Sequence, residues 1–389
     1  MKATNVKNWA SILDDNTRLQ AEMLSRSEVV WGHVALMPDA HLGKGATVGS
    51  VIATKGAVIP AAVGVDIGCG MCAVQTTLRQ PDLPTDLQPL HAQLSRSVKA
   101  GWGPRGQWSE PTDSGVQWLA ANPPSQGVVD GALEQQAARQ FGTLGSGNHF
   151  IEVCVDLTDR VWVVLHSGSR GVGNRLATKH IKVAVQECRI AAVSLEDPDL
   201  AYLVEGTAAF DSYIEDMNWC QKYALGNRAA MMDAVLNQLF RFAGSGAEAM
   251  RINCHHNFTQ RETHFGEEVW LTRKGAIAAS VGVKGVVPGS MATATFITEG
   301  LGEPYSYCSS AHGGGRQMSR GQAKRELSLD GAEGLNTMMV GKAWNVDDAK
   351  GLLDEHPLAY KDIYRVMADQ RDLCRPVNRL KQILNFKGP

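Results

Sequence analysis

The chain has 389 residues, of which 44% are hydrophobic and 20% are charged, so it is long and apolar enough to bury a substantial core. Its formal net charge of −2 argues against a protein that coats nucleic acid through overall basicity, so any such contact must come from a local patch. Eight cysteines spread over this length exclude a small disulfide-rich scaffold.

The N-terminal residues and the apolar runs indicate the compartment. The opening stretch, MKATNVKNWASIL, lacks the basic region and apolar core of a secretory signal. The longest apolar runs are interrupted by glycine, proline or aspartate, so no segment is expected to span a membrane. We therefore expect a reduced, cytoplasmic protein.

Short strands and two long helices are predicted in chain order. A strand is expected at 73–78, and the valine-rich runs at 150–157 and 161–168 each predict a strand that ends in a turn. Residues 201–242, with repeated Ala, Met, Leu and Gln, predict a helix. A further helix is expected near 360–385.

The distribution of glycines bears on domain organisation. The 40 glycines form clusters along the whole chain, and we find no internal repeat or low-complexity tail between them. This pattern predicts one domain, residues 1–389, built around one site. Residues 79–124 are rich in proline and glutamine, and the segment 79–141 as a whole is expected to form a variable surface region.

The stretch VGVDIGCGM, residues 63–71, places Asp66 and Cys69 in one glycine-rich loop. Glycines suit a backbone that bends sharply or approaches another group closely. A carboxylate and a thiol at such a place suggest that the loop holds a ligand.

Several of the 11 histidines lie at predicted strand ends or in glycine-rich loops. These are His149, His166, His255, His256 and His312. A single histidine is more often a hydrogen-bonded structural residue than a ligand, but five in such positions, together with the 63–71 loop, favour a metal site. Cysteine with histidine favours zinc, whereas a carboxylate and open positions also suit manganese, so residue chemistry leaves the metal open.

Cys69 and Cys72 form a CxxC pair, which raises the alternatives of half a zinc knuckle or a redox pair. The chain has no second CxxC. Redox pairs usually open a helix, whereas a strand is predicted here. Both alternatives are therefore disfavoured.

Common nucleotide-binding motifs are absent. HLGKGAT fails the phosphate-loop pattern, no GxGxxG opens a strand–helix unit, and LSLDG has serine where lysine-dependent ligases carry lysine. If the protein uses a nucleotide, another group must take the phosphoryl. A neutral histidine could do so.

Seven blocks in one order nevertheless resemble a known family. They are MPDAHLGKGATVGSVIATKGAVIPAAVGVDIGCGM, GTLGSGNHFIEV, LHSGSRGVGN, INCHHNF, VPGSM, AHGGGRQMSR and FKG. Together they resemble the RtcB family of GTP-dependent RNA-splicing ligases. The resemblance runs from about residue 37 to 387 and is weakest over 79–141.

The resemblance implies an α+β fold, a single large domain with a mixed β-sheet core, surrounding helices and glycine-rich active-site loops. It also implies an enzyme that joins RNA ends carrying a 3′-phosphate or 2′,3′-cyclic phosphate to 5′-hydroxyl ends, in tRNA splicing or RNA repair. GTP and two manganese ions would be its cofactors. A helper protein is a further possible partner.

The resemblance also implies roles for individual residues. Cys69 would bridge both ions, Asp66 and His149 would complete one site, and His166 and His256 the other. His312 would take GMP, and Asp39 would lie near the metal and assist the incoming 5′-hydroxyl. The residues implied to hold the guanine nucleotide are Asn148, Glu152, Asn257, Pro288, Gly289, Ser290, Met291, Thr295, Gly313, Gly314, Gly315 and Lys387.

Three rival functions are weighed against ligation. A dinuclear metal phosphodiesterase that only opens cyclic phosphates would not need His312 or the guanine pocket. A non-catalytic RNA-binding protein would not need the ligand set. GMP capping of 3′-phosphate ends without sealing, on RNA or DNA, is an alternative that the sequence leaves open.

A basic run, RQMSRGQAKREL, follows His312. Arg316, Arg320 and Lys324 are four residues apart, so a helix would align them on one face. The run is expected to attract RNA, with Arg170 and Arg175 extending the patch. The alternative is a solvated charged face.

Overall fold

The computed structural model describes residues 3–101, 110–129 and 131–388. Its helices are α1 (Asp15–Ser25), α2 (Pro60–Val63), α3 (Gln88–Ser97), α4 (Asp113–Ala121), α5 (Ala132–Gln140), α6 (Arg170–Ile190), α7 (Ala208–Ala243), α8 (Arg320–Glu326), α9 (Leu335–Met338) and α10 (Ile363–Asp369). The first strands are β1 (Val6–Asn8), β2 (Val30–His41), β3 (Val48–Thr54), β4 (Ala57–Val58), β5 (Gly70–Arg79), β6 (Phe150–Val155), β7 (Arg160–Ser167) and β8 (Leu203–Val204). The remaining strands are β9 (Glu248–His255), β10 (Asn257–His264), β11 (Glu267–Lys274), β12 (Ala276–Ala278), β13 (Lys284–Pro288), β14 (Thr295–Gly300), β15 (Ser309–Ala311) and β16 (Cys374–Lys387).

The larger sheet has seven antiparallel strands in the order β13-β14-β16-β6-β7-β5-β9. β6 and β7 are buried along almost their whole length, as their continuous valine and isoleucine content predicts. The predicted strands at 73–78, 150–157 and 161–168 are confirmed as β5, β6 and β7.

A second sheet has five strands in the order β1-β2-β3-β11-β10. β1 pairs with β2 in parallel, and the other pairs are antiparallel. Two small sheets, β12-β15 and β4-β8, complete the strands of the described residues. Helices and sheets together confirm the predicted α+β class, whereas the division into one domain stays a prediction.

The long helix α7 covers one face of the larger sheet. Met231, Val235 and Leu239 of α7 are fully buried in one apolar cluster with residues of β5, β6 and β7. Thr207, which precedes the helix, caps its N-terminus, because its side chain accepts a hydrogen bond from the backbone N–H of Phe210. The helix therefore confirms the predicted helix at 201–242, except for the first residues, which include β8.

The prediction of a helix near 360–385 is wrong. Only the short helix α10 lies there, and the following residues form β16, between β14 and β6 in the larger sheet. Leucine, lysine and glutamine favour a helix locally, but pairing on both sides and burial within the sheet decide the outcome.

Segment 79–141, expected as variable surface, contributes to the core. Leu90 and Leu94 of α3 are fully buried in the apolar cluster under α7. Leu133 and Ala137 of α5 are buried against α6 and α7. The expectation of a purely superficial segment is therefore wrong for α3 and α5; residues 102–109 and 130 lie outside the described residues.

Within the part of the chain that the structure describes, no helix combines the length and apolar character needed to cross a membrane.

Candidate active site

The strand pairing of the larger sheet brings the predicted ligand residues together. Gly70, the first residue of β5, lies opposite Ser167 of β7 on one side and His255 of β9 on the other. Cys69, His166 and His256 are the sequence neighbours of these three residues. A Cβ on Gly70 would lie 2.0 Å from the carbonyl oxygen of Cys254, so only glycine permits this approach.

Cys69 lies at the centre of two donor groups. Its Sγ is 3.2 Å from Nε2 of His166 and 3.5 Å from Nε2 of His149. His256 Nε2 is 2.9 Å from that of His166, and Asp66 Oδ2 is 3.2 Å from Nε2 of His149. Two groups could each hold a metal ion, Cys69 with His166 and His256, and Cys69 with Asp66 and His149.

The orientation of the imidazoles fits cation binding. Nδ1 of His149 lies 2.9 Å from the carbonyl oxygen of Leu144, and Nδ1 of His166 lies 3.0 Å from that of Asn148. A proton on each Nδ1 satisfies these contacts and leaves the Nε2 lone pairs directed at Cys69 and His256. Facing lone pairs repel one another, and a cation between them would remove that repulsion.

Burial sets the protonation of the donor groups. It lowers the pKa of His166 and of His256 well below the ordinary value, so both imidazoles are neutral at pH 7. Burial, together with the charge of Asp66, raises the pKa of the Cys69 thiol. Metal binding would instead lower the pKa of the Cys69 thiol, because a coordinating thiol is deprotonated.

His312 lies beside the donor group of Cys69, His166 and His256. The centroid of its ring is 4.5 Å from that of His256. Oδ2 of Asp39 lies 2.7 Å from Nδ1 of His312 and accepts hydrogen bonds from the backbone N–H groups of His312 and Gly313. Asp39 is fully buried. The described contacts therefore place the Asp39 carboxylate beside Nδ1 of His312 and against the backbone of the loop that carries it.

A cavity of about 350 Å³ adjoins both His312 and the donor groups. This volume is in the range of small-molecule sites. The predicted nucleotide-binding residues that line it are Asn148, Glu152, Asn257, Pro288, Gly289, Ser290, Met291, Gly313, Gly314, Gly315 and Lys387. Thr295 is not among its lining residues; it is fully buried in β14, opposite Pro288, so the structure does not support a direct ligand contact.

Glu152 forms part of the cavity wall. Its Oε1 accepts a hydrogen bond of 2.9 Å from Asn385 Nδ2 in β16. Burial raises the pKa of the Glu152 carboxyl to about 8, an effect that the charge of Lys387 partly offsets. The side chain could therefore take or release a proton when a ligand enters.

A polar network beside Lys387 was missed from the sequence. The Glu355 carboxylate accepts hydrogen bonds from Lys387 Nζ at 2.8 Å, Tyr360 Oη at 2.7 Å and Arg320 Nη1 at 2.8 Å. Glu355 and Tyr360 also line the cavity. They lie in a segment without a recognised motif, and only the tertiary fold brings them to Lys387.

Lys274, at the end of β11, is a second residue that sequence reasoning missed. Its Nζ donates hydrogen bonds to the carbonyl oxygens of Lys44 and Ala61. Burial lowers the pKa of Lys274 to about 8. The residue lines the same cavity, near Gly64, and so adds a cationic donor to it.

The basic run after His312 does not form the expected helical stripe. The helix α8 begins only at Arg320, so Arg316 lies outside it. Arg320 Nη1 lies 2.8 Å from Asp354 Oδ2, and Lys324 Nζ lies 3.5 Å from Asp354 Oδ1. Acidic partners thus neutralise much of the run.

A second groove, of about 620 Å³, adjoins His149 and Asp66 from the side of α5 and α6. Three arginines line it, Arg139, Arg170 and Arg175. Arg170 is largely buried, its Nη1 is 3.1 Å from Nδ1 of His149, and its Nε has no hydrogen-bond partner among the described residues. A cluster of arginines therefore lies beside His149 and Asp66 on this side.

The fold and site define an α+β protein with two adjoining cysteine–histidine donor groups and a histidine at the wall of a small-molecule cavity. The family model described as "tRNA-splicing ligase RtcB" matches residues 20–388. The chain therefore belongs to the RtcB family.

Individual relatives agree with this assignment. The chain is 42% identical to the RNA-splicing ligase RtcB of Escherichia coli K12, over 98% of this chain and 97% of that protein. It is 29% identical to the RNA-splicing ligase RtcB of Mycobacterium tuberculosis, over 90% of this chain and 96% of the relative. It is 28% identical to the tRNA-splicing ligase RtcB of Nanoarchaeum equitans, over 96% of this chain and 92% of that protein.

Proposed function

We propose that the protein is a GTP-dependent RNA ligase that joins 3′-phosphate or 2′,3′-cyclic phosphate ends to 5′-hydroxyl ends. The observation that carries the proposal is the position of His312, held by Asp39 between the cavity and the donor group of Cys69, His166 and His256. The printed names of the relatives, RNA-splicing and tRNA-splicing ligases, agree with this activity.

Two manganese ions are the proposed metals. Cys69 would bridge them, with Asp66 and His149 on one ion and His166 and His256 on the other, in agreement with the two donor groups. When bound, such a pair of divalent cations neutralises phosphate charge and orients an in-line displacement.

His312 is the proposed nucleophile. With Nδ1 facing Asp39, Nε2 is the atom free to attack the α-phosphate of GTP, which forms a P–N bond and releases pyrophosphate. Asp39 keeps the ring oriented and favours the positive charge that develops on it. The GMP then passes to the RNA 3′-phosphate, and the 5′-hydroxyl displaces it to form the phosphodiester.

The cavity beside His312 is the proposed guanine-nucleotide site. The backbone of Gly313 to Gly315 can approach phosphate oxygens closely because no side chain intervenes. A carboxylate at Glu152 could accept hydrogen bonds from a guanine edge. Lys387, whose Nζ donates a hydrogen bond to Glu355, lines the same cavity and would contribute a positive charge to the nucleotide site.

RNA with the stated ends is the proposed substrate, in tRNA splicing or RNA repair in the cytoplasm. The arginine-lined groove beside His149 supports a phosphate-rich ligand next to the metal donors. An activating helper protein is a further proposed partner.

The test uses purified protein with Mn²⁺, α-labelled GTP and two RNA halves with 3′-phosphate and 5′-hydroxyl ends. The expected results are an acid-labile label on the protein and a joined RNA product. His312→Ala should acquire no label and still bind Mn²⁺, whereas the control His264→Gln, on β10 outside the cavity, should acquire label normally. Persistent label in His312→Ala would identify another nucleophile, and capped RNA without joined product would indicate a capping enzyme.

A further inference from the structure

Arg228 of α7 is a fully buried arginine behind the metal-donor groups. Its Nη1 donates hydrogen bonds to the carbonyl oxygens of Gly68, at 2.8 Å, and Ser167, at 3.0 Å. Its Nε donates to Asn253 Oδ1 at 2.7 Å, and its Nη2 lies 3.2 Å from His255 Nδ1. One guanidinium thus contacts three segments that are distant in sequence.

Three of these contacts share a feature. Gly68 precedes Cys69, Ser167 follows His166, and His255 precedes His256. Arg228 therefore contacts the immediate neighbour of every member of the donor group Cys69, His166 and His256, and does not itself belong to that group.

The burial of Arg228 needs an explanation, because a guanidinium taken out of water is costly unless its donors are satisfied. Its side-chain and backbone contacts among the described residues are with neutral groups. A planar fork with five donors at fixed angles can join several carbonyl groups at defined positions. Such geometry suits a residue that fixes distances between segments.

We infer that Arg228 is a positioning residue that sets the mutual distances of Cys69, His166 and His256. It thereby determines the Mn²⁺ affinity of the site that these three residues form, called the second metal site below. The inference rests on the proposed two-metal function. It differs from a general structural role because the other site, of Asp66 and His149, has its own support. His149 Nδ1 contacts Leu144, and Gly168 lies directly against Asp66.

The test measures metal binding rather than ligation. Wild type, Arg228→Lys and Arg228→Met are titrated calorimetrically with Mn²⁺, in the presence of a GTP analogue with a methylene bridge between the α- and β-phosphates, so that His312 cannot release pyrophosphate. Arg251→Met is the matched control, since Arg251 on β9 pairs with the surface carboxylates of Glu248 and Asp233.

Both Arg228 variants should bind the second ion roughly 10–100-fold more weakly, the usual effect of removing support from metal ligands. The first ion shares only Cys69 with this donor group, so its affinity should fall much less. Lysine keeps the charge but cannot contact all these groups, so it should not rescue the site. Equal weakening at both sites, unchanged binding, or full rescue by lysine would overturn the inference.

Asn253→Ala keeps the test decisive if the Arg228 variants fail to fold. It removes the acceptor of Nε and leaves the arginine, so a smaller, selective loss of affinity for the second ion is expected, and unchanged affinity overturns the inference. Absence of a second ion in wild type would instead overturn the proposed function, and the inference with it.

Discussion

One carboxylate oxygen of the fully buried Asp39, Oδ2, lies 2.7 Å from the ring Nδ1 of the partly exposed His312 and accepts a hydrogen bond of 3.1 Å from the backbone N–H of the same residue. The two residues come from β2 and from the loop after β15. The same oxygen thus lies next to both the ring and the backbone of His312, and the ring turns Nδ1 rather than Nε2 towards Asp39.

Asp39→Asn is therefore expected to slow the transfer of GMP to His312 by about 10²- to 10⁴-fold, the range for acid–base partners of a reactive histidine. Mn²⁺ binding should be unchanged, because Asp39 is not in either donor group. Single-turnover labelling with α-labelled GTP measures the rate. Normal labelling combined with failed sealing would instead place Asp39 at the incoming 5′-hydroxyl, as the family resemblance implies.

Replacing Cys69 is expected to affect both metal sites. Cys69→Ala should lose both ions, because Sγ belongs to both donor groups, while His149→Ala and His256→Ala should each lose mainly one. Elemental analysis of Mn²⁺-loaded protein after removal of free metal measures the content. Cys72→Ala is the matched control, since Cys72 lies in β5 outside both groups. Two ions in Cys69→Ala would contradict the bridging role.

The groove lined by Arg139 and Arg175, rather than the basic run after His312, is expected to bind RNA phosphates. Arg139→Ala and Arg175→Ala should each weaken RNA affinity and reduce the salt slope of binding by about one unit. Lys324→Ala should have a smaller effect, because Asp354 lies 3.5 Å from its Nζ.

Fluorescence anisotropy with labelled RNA over a range of salt concentrations measures this effect. Arg365→Ala, on α10 and paired with Asp369, serves as control. A larger loss for Lys324→Ala than for Arg175→Ala would restore the basic run as the RNA-binding surface.

Glu152 should make stability depend on pH. Its pKa is raised to about 8 in the folded protein from an ordinary value of 4.5, so between these values the unfolded chain releases a proton that the folded protein retains. The wild type therefore loses stability as pH rises through this window. Glu152→Gln removes that loss, so its stability relative to wild type should increase by at most about 1.4 kcal/mol per pH unit.

Urea unfolding between about pH 5 and pH 8 measures this difference. Glu326→Gln, on the exposed side of α8, provides a control that should follow wild type. A pH-independent difference between Glu152→Gln and wild type would show that the carboxyl ionises normally.

The local parts of the site could be predicted from the sequence, and the parts that depend on distant contacts could not. Asp66 and Cys69 are three residues apart in one loop, so their proximity follows from the chain itself. The strands at 150–157 and 161–168 were predictable because burial on both faces leaves continuous apolar runs. The histidines at their ends were recognisable as candidates, but their distances depend on the pairing of β5 with β7 and β9.

The sequence alone does not predict the positions of three site residues, Arg228, Glu355 and Tyr360. Arg228 lies within a helix that has no motif, and its contacts with Gly68 and Ser167 arise only after α7 covers the sheet. The sequence also does not show that the basic run after His312 is paired, because its acidic partners, Asp354 and Glu355, come from a separate segment. The sequence predicts a helix where β16 lies because it shows the local preferences of the residues and not their long-range pairing in the sheet.

The central place of β16 in the larger sheet has a consequence for synthesis of the protein. β6 ends at Val155 and its partner begins at Cys374, roughly 200 residues later, an interval that takes a ribosome on the order of 10–40 s. Until then one edge of an apolar strand in the nascent chain has no native neighbour, and such an edge invites pairing with other chains. Completion of the larger sheet therefore depends on a contact of long sequence separation, which makes its folding slow and exposes it to mispairing.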